Sequence, residues 1–112
     1  MKKIITLKQN TDFRRAYARG RSYTNAALVL YCNKNREGIC RVGVTTSKKI
    51  GNAVERNRCR RVIMAGYRNV TPLCSGGWDL VFVARFKTKH IKSTEIERIM
   101  TEQLRAAGVI KT

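Results

Sequence analysis

The sequence predicts one α/β domain in which helices and short strands alternate along the chain. Its 112 residues suit a single hydrophobic core. The hydrophobic content is 43% and falls into alternating runs as well as helical spacings, whereas a disordered basic tail would be poor in Val, Ile and Leu. The segments follow the order helix, strand, strand, helix, strand, helix. We therefore expect residues 1–112 to form one domain of the α+β type.

The first predicted helix carries two aromatic side chains on one face. It follows a possible N-cap at Asn10 or Thr11 and ends at Gly20, a residue suited to a helix C-terminus. Phe13 and Tyr17 are four residues apart, so they are neighbours on the helix surface. Their spacing fits packing in the core and exposure of an aromatic surface equally well.

Three apolar runs predict strands. Residues 26–32 and 39–45 are separated by polar turn formers at 33–38, which predicts a β-hairpin. A third strand is predicted over residues 78–85, after the Ser-Gly-Gly break at 75–77. These strands are expected to form the sheet on which the helices pack.

The last predicted helix runs from Ser93 or Thr94 to Ala107, just before Gly108. Thr94 and Glu97 have the spacing of a capping box. One face of this helix carries an apolar stripe, which is typical of a helix lying on a sheet and predicts burial. The stripe consists of Ile96, Ile99, Met100, Leu104 and Ala107.

Positive charge is concentrated at the start of the second predicted helix. Residues 48–68 hold seven Lys or Arg and one acid, Glu55, in a chain with 24 basic and 7 acidic residues. At about 100° of rotation per residue, one face of this helix is predicted to be buried. That face holds Cys59, Val62, Ile63 and Gly66. The opposite arc holds Arg56, Asn57, Arg58, Arg60 and Arg61.

This arc of arginines predicts a polyanion-binding surface. A solvated helix face normally mixes charges, because like charges four residues apart repel by a few tenths of a kcal/mol per pair. Arginine also forms forked contacts with phosphate oxygens and stacks on bases. Just before the helix, a turn at Gly51 and Asn52 beside Lys48 and Lys49 predicts backbone N–H groups that a phosphate could approach.

Other function classes find little support in the sequence. His90 is the only histidine, and the carboxylates show no paired or metal-ligand spacing, so neither a protein active site nor a metal site is expected. No apolar segment has the length of a signal peptide or a membrane span. Without a signal peptide, the cysteines are expected to be reduced thiols of a cytosolic protein, and two disulfides remain the alternative for a secreted protein. Their spacings of 8, 19 and 15 residues do not suit a zinc site. The cysteines are Cys32, Cys40, Cys59 and Cys74.

The basic segment resembles the signature of the bacterial ribonuclease P protein family, whose centre is an Arg-Asn-Arg triplet. The matching residues are Lys49, Gly51, Ala53, Val54, Arg56, Asn57, Arg58, Arg60 and Arg61. Further matching segments are Asp12-Phe13 with an aromatic residue four positions on, Val29-Leu30-Tyr31, Arg41-Val42-Gly43-Val44 and residues 79–85. The resemblance extends over nearly the whole chain.

The resemblance implies a two-layer α/β sandwich of order αβββαβα, like the second domain of ribosomal protein S5. The basic helix would lie in a left-handed crossover between parallel strands, an arrangement that general handedness rules do not favour. This order needs one strand more than the sequence pattern provides. We expect that strand near residues 42–47.

The implied activity is hydrolytic removal of the 5′ leader from precursor transfer RNA. A large RNA would be the catalyst, with Mg²⁺ ions bound chiefly by RNA and substrate, and the protein would be its subunit without a covalently bound cofactor. The expected partners are the ribonuclease P RNA, in a 1:1 complex, and precursor tRNA. The expected location is the bacterial cytoplasm, with no contact to a membrane.

The resemblance also assigns roles to individual residues. The expected RNA-binding residues are Lys48, Lys49, Arg56, Asn57, Arg58, Arg60 and Arg61. The expected leader-binding residues are Phe13, Tyr17 and Tyr31, since aromatic faces stack on bases without strong sequence preference. No catalytic and no metal-binding residue is expected. The basic surface is expected to end at Arg61, because Met64 stands where a further basic residue would prolong it.

Three alternatives remain open from the sequence alone. A ribosomal or other structural RNA-binding protein would share the size, the charge and the basic helix. A protein of anionic membrane surfaces would share the charge but needs a bulky apolar helix face that the basic helix lacks. A self-sufficient nuclease would need to cleave RNA without an RNA subunit.

Overall fold

The computed structural model describes residues 4–111, and it confirms the predicted αβββαβα order with one short strand before it. Residues 1–3 lie outside this range. They are part of the N-terminal segment in which no signal peptide is expected. The elements are β1 (Ile5–Thr6), α1 (Asn10–Arg19), β2 (Arg21–Thr24), β3 (Leu28–Lys34), β4 (Arg41–Thr45), α2 (Ala53–Val70), β5 (Trp78–Ala84) and α3 (Ser93–Ala106). Short 3-10 turns lie at Lys48–Ile50, Thr71–Leu73 and Phe86–His90.

The five strands form one sheet in the order β1, β4, β5, β3, β2. β4 and β5 are parallel and are connected through α2, whereas β3 is antiparallel to both β5 and β2. The predicted hairpin between residues 26–32 and 39–45 is therefore wrong, because β5 lies between these two strands. β5 takes the central position because apolar residues from both of its faces are buried, among them Leu80, Val81 and Phe82.

The additional strand that the family order requires is β2. The prediction that this strand lies near residues 42–47 is wrong. Those residues are the end of β4 and the segment that leads into the turn Lys48–Ile50. β2 reads Arg-Ser-Tyr-Thr, and only Tyr23 packs against the core. A short, mostly exposed edge strand has no apolar alternation by which the sequence could reveal it.

The main core lies between one face of the sheet and helices α2 and α3. The predicted stripe of α3 is confirmed, since Ile96, Ile99, Met100 and Leu104 are buried and Ala107 packs against them half-buried. The predicted core face of α2 is also confirmed: Cys59, Ile63 and Gly66 are buried and Val62 packs against the core. Glycine at position 66 lets the two helices approach, because a Cβ there would lie 3.3 Å from the backbone nitrogen of Glu97.

The predicted caps of the first and last helices are wrong. α1 begins at Asn10 behind Gln9, and α3 begins at Ser93 behind Lys92, in both cases without a side-chain capping bond. The Glu97 carboxylate instead accepts a hydrogen bond of 2.8 Å from Asn69 Nδ2. The side chain of Glu97 therefore contacts α2 and does not cap its own helix.

Helix α1 lies on the other face of the sheet and covers only part of it. Ala16 is fully buried there with Val81 and Leu7, and Phe13, Tyr31 and Val83 pack around them half-buried. The sheet therefore separates α1 with its aromatic residues from α2 with its arginines.

Candidate nucleic-acid interface

The predicted basic residues gather at one end of the sheet, where β4 and β5 finish and α2 begins. Lys48 and Lys49 are exposed in the turn that leads from β4 into the helix. On α2 itself, Asn57, Arg58, Arg60 and Arg61 are exposed and Arg56 is half-buried. We call Lys48, Lys49, Arg56, Asn57, Arg58, Arg60 and Arg61 the cationic face.

Two arginines of the cationic face also anchor α2 to its surroundings. Arg58 Nη1 donates to the carbonyl oxygen of Lys89 at 3.0 Å. Arg60 donates to the carbonyl oxygen of Val44 at 3.2 Å and to Thr46 Oγ1 at 2.8 Å. Because a guanidinium has five N–H donors, both side chains retain donors for an external anion. These bonds also hold the guanidiniums in defined positions.

The cationic surface continues beyond the predicted limit at Arg61. Asn57, Arg60 and Arg61 line the same groove of about 600 Å³ as Met64 and Arg68, the latter nearly two turns further along α2. Within residues 4–111, the side chains of Asn57 and Arg61 make no hydrogen bond or ion pair. The side chains of Lys48 and Lys49 likewise make none within this range, so these four are the members of the face most available to a partner.

The start of α2 is not the open phosphate site that the Gly51-Asn52 turn predicts. Asn52 Oδ1 accepts from the backbone N–H of Glu55 at 2.9 Å, and Glu55 Oε1 accepts from the backbone N–H of Asn52 at 3.0 Å. The hydrogen bond to Asn52 and the ammonium of Lys89 lower the pKa of Glu55, so its carboxylate stays charged. A negative side chain thus occupies the place where a phosphate would bind.

The three predicted aromatic residues share the face of the sheet that α1 partly covers. Tyr17 and Tyr31 meet edge to face with ring centroids 5.0 Å apart. The hydroxyls of Tyr17 and Thr45 are hydrogen-bonded at 2.6 Å. Tyr17 is 39% exposed, and Tyr31 and Phe13 are half-buried. We call Phe13, Tyr17 and Tyr31 the aromatic cleft.

The cationic face and the aromatic cleft meet around the edge of β4. β1 pairs only with Arg41 and Val42, so it leaves the rest of this edge uncovered. A groove of about 240 Å³ crosses the edge there and is lined by Phe13 from α1 and by Arg60 and Met64 from α2. The structure therefore brings the two predicted groups of residues onto one continuous surface.

One segment of this surface escaped sequence prediction. Val29 and Val83 form the floor of a groove of about 510 Å³ next to the aromatic cleft, and its rim holds Lys49, Lys87 and Arg85. Phe86, in the same rim, is 63% exposed. A signal in the sequence could have identified this segment: cations on either side of Phe86, directly after a predicted strand.

The described residues offer no metal centre. Within residues 4–111, no three His, Cys, Asp or Glu side chains are arranged to hold a metal ion. His90 lies at the end of a 3-10 turn, with its ring 5.9 Å from that of Phe86. Cys32 and Cys59 are buried free thiols; burial raises the pKa of both, that of Cys32 to about 12. In the same part of the chain, no helix combines the length and apolarity needed to cross a membrane.

Glycine at position 43 is required by the aromatic cleft. A Cβ at this position would lie 2.5 Å from Phe13 Cζ, so Gly43→Ala should displace the ring and destabilise the protein by about 1 to 3 kcal/mol in urea unfolding. In a Phe13→Leu background, the smaller side chain should relieve most of this cost. An equal cost of Gly43→Ala in both backgrounds would show that Phe13 is not the residue in conflict.

The fold and the candidate site together define a class: a strongly basic α+β protein with a surface suited to a polyanion that carries aromatic bases. The ribonuclease P family model matches residues 1–108. A ribonuclease P protein component of Clostridium novyi (strain NT) is 45% identical over 111 residues, which cover 97% of this chain and 98% of that protein. The chain belongs to the ribonuclease P protein family.

Solved structures agree with this assignment. The RNase P protein of Staphylococcus aureus has a TM-score of 0.84 at 32% identity, covering 97% of this chain and 100% of that one. The RNase P protein of Thermotoga maritima has a TM-score of 0.77 at 25% identity, covering 89% and 96%. As a family member, the chain has a role in the ribonuclease complex that processes the 5′ end of tRNA, with an RNA subunit and tRNA as partners.

Proposed function

We propose that this protein binds the catalytic RNA through its cationic face and the single-stranded 5′ leader of precursor tRNA through its aromatic cleft. The observation that carries this proposal is the groove at the β4 edge, where Phe13 meets Arg60 and Met64. An RNA strand leaving the cationic face reaches the aromatic residues through this groove without crossing the sheet. The guanidiniums contact phosphates and the rings stack on bases.

In this proposal the RNA subunit performs catalysis and the protein positions it. Hydrolysis of a phosphodiester is supported by Mg²⁺, which activates water and stabilises the leaving oxygen. The carboxylates of this chain do not fit such an ion. Asp12, Glu37 and Asp79 converge, but the guanidinium of Arg41 stands at their centre, 2.8 Å from Asp79 and 3.7 Å from each of the other two. In this proposal RNA and substrate hold the Mg²⁺ ions of the complex.

The positive charge of the protein lowers the need for Mg²⁺. A formal net charge of +17 attracts the RNA and neutralises phosphates that would otherwise require cations from solution. The protein acts as one copy per catalytic RNA, in the bacterial cytoplasm. Its affinity for RNA falls steeply with salt, because each phosphate contact releases counterions.

Cleavage of precursor tRNA at low Mg²⁺ tests this function. We expect cleavage when the protein is mixed with a bacterial ribonuclease P RNA, little cleavage with that RNA alone, and none with the protein alone. High Mg²⁺ should restore activity to the RNA alone, because free cations then replace the protein's charge. Cleavage by the protein alone would place catalysis in the protein. No stimulation by folded protein would favour a structural RNA-binding role instead.

A further inference from the structure

A second cluster of cations lies at the opposite end of the sheet from the cationic face. Two adjacent pockets of about 410 Å³ each share Arg19, Asn33 and Lys34 and together form one elongated groove. We call it the far-end groove. Its principal residues are Arg15, Arg19, Arg21, Lys34, Arg36 and Trp78.

The far-end groove is separate from the cationic face but adjoins the aromatic cleft, since Arg15 and Arg19 flank Tyr17 on α1 and Asn33 follows Tyr31 by two residues on β3. It lies where β3 ends at Lys34 and β5 begins at Trp78, residues that are paired in the sheet. The cationic face lies beyond the other end of β5, near Ala84. Seven strand residues at about 3.3 Å each place the end of the cationic face near Ala84 about 20 Å from the groove, whereas Arg60, which bonds to Val44 opposite Phe82, lies nearer. One short RNA segment at that end of the cationic face therefore does not reach the groove.

Most cations of the far-end groove lack a carboxylate partner. Within residues 4–111, Arg19, Arg21 and Arg36 form no ion pair, and Arg15 only approaches Asp12 at 3.7 Å. Two acids, Glu37 and Asp79, line the groove and Asp12 lies beside it; all three converge on Arg41, which pairs with each of them. Their negative charge is therefore balanced mainly by Arg41 in the floor of the groove, and the arginines and lysine at the rim leave it positively charged.

An aromatic ring lies among these cations. Trp78 is half-buried, and Lys34 Nζ stands 5.8 Å from the centroid of its ring. A cation beside an indole attracts both a phosphate and the base attached to it. The elongated shape, with cations distributed along it, suits successive phosphates of a strand better than one phosphate ion, which needs donors that converge on a point.

We propose that the far-end groove binds the phosphate backbone of a second RNA segment, one that does not lie on the cationic face. The protein would then hold two RNA segments at the two ends of its sheet. This inference goes beyond the proposed function, because the aromatic cleft and the cationic face act without it.

Trp78 provides a local probe, since it is the only tryptophan of the chain and the aromatic cleft contains none. The full-length protein is titrated with a short single-stranded RNA while tryptophan emission is recorded, and in parallel with inorganic phosphate. We expect RNA to change the emission at concentrations where phosphate does not. Equal affinity for inorganic phosphate would overturn the assignment to an RNA strand, and unchanged emission with RNA bound would overturn the site.

Charge-matched variants distinguish binding in the groove from the general attraction of RNA by the net charge of the protein. Arg15→Gln with Arg19→Gln removes two groove cations and should weaken the RNA binding seen by Trp78 about tenfold, with a salt slope shallower by about 1.4. Lys8→Gln with Lys92→Gln removes the same charge from exposed positions that line neither pocket, and Lys92 lies at the opposite end of α3 from the groove. This control should stay within about twofold of wild type, because distant charges are screened.

Two further comparisons complete the test. Arg36→Gln, in the loop between β3 and β4, should weaken binding independently of any change in α1. Equal losses in the groove variant and the matched control would overturn the proposal. The proposed function is tested separately, by precursor cleavage with the wild-type protein, so failure of one does not imply failure of the other.

Discussion

Replacing Tyr17 and Tyr31 together by alanine should weaken binding of leader-bearing precursor tRNA on the order of a hundredfold and leave mature tRNA binding unchanged. Each aromatic ring that stacks on a base contributes about 1 to 3 kcal/mol, and about 1.4 kcal/mol corresponds to a factor of ten. The two rings touch at 5.0 Å between centroids, so removing both opens the cleft instead of letting one ring replace the other. Equilibrium binding to the assembled complex gives both affinities.

The matched control keeps the rings and removes only their hydroxyls. Tyr17→Phe with Tyr31→Phe loses the hydrogen bond between Tyr17 and Thr45 but retains both stacking surfaces. Its affinity for the precursor should stay close to that of the wild type. Equal losses for precursor and mature tRNA in the alanine variant would mean that the rings support the fold or the RNA subunit, and the leader assignment would be abandoned.

The sequence predicts the helices of this fold better than its sheet. The apolar stripe of α3 and the buried arc of α2 follow from a period of 3.6 residues, and both are confirmed. Strand pairing depends on contacts between residues far apart in the chain. The apolar run at residues 78–85 predicts a strand, but nothing in its sequence indicates that this strand lies between β3 and β4 in the sheet.

The candidate site shows the same division between local and distant information. The arginines of α2 are predictable because one helix places them together. The groove at the β4 edge depends on β1 being only two residues long and on α1 and α2 lying on opposite faces of the sheet. The role of Glu55 was missed although the sequence carries a signal for it, because Asn52 and Glu55 have the spacing of a capping box.

Replacing the buried carboxylate of Asp79 should cost a large part of the stability of the protein. Asp79 is 1% exposed and accepts hydrogen bonds from Arg41 Nε at 2.8 Å, from Arg41 Nη2 at 2.9 Å and from Asn35 Nδ2 at 2.8 Å. Asp79→Ala leaves the half-buried guanidinium without its main partner. Breaking such a pair from one side costs about 3 to 5 kcal/mol, a large share of the roughly 5 to 15 kcal/mol that stabilises a domain of ordinary size.

Two comparisons distinguish this pair from a surface ion pair, with urea unfolding as the measurement. Glu37→Ala removes an outer partner of Arg41 at 3.7 Å and should cost at most about 1 kcal/mol, because its side chain is 50% exposed. Replacing both partners, with Arg41→Met and Asp79→Leu, should cost less than Asp79→Ala alone, since no unpaired charge is then left buried. If Asp79→Ala costs as little as Glu37→Ala, the ion pair between Arg41 and Asp79 behaves like a surface pair and does not stabilise the pairing of β4 with β5.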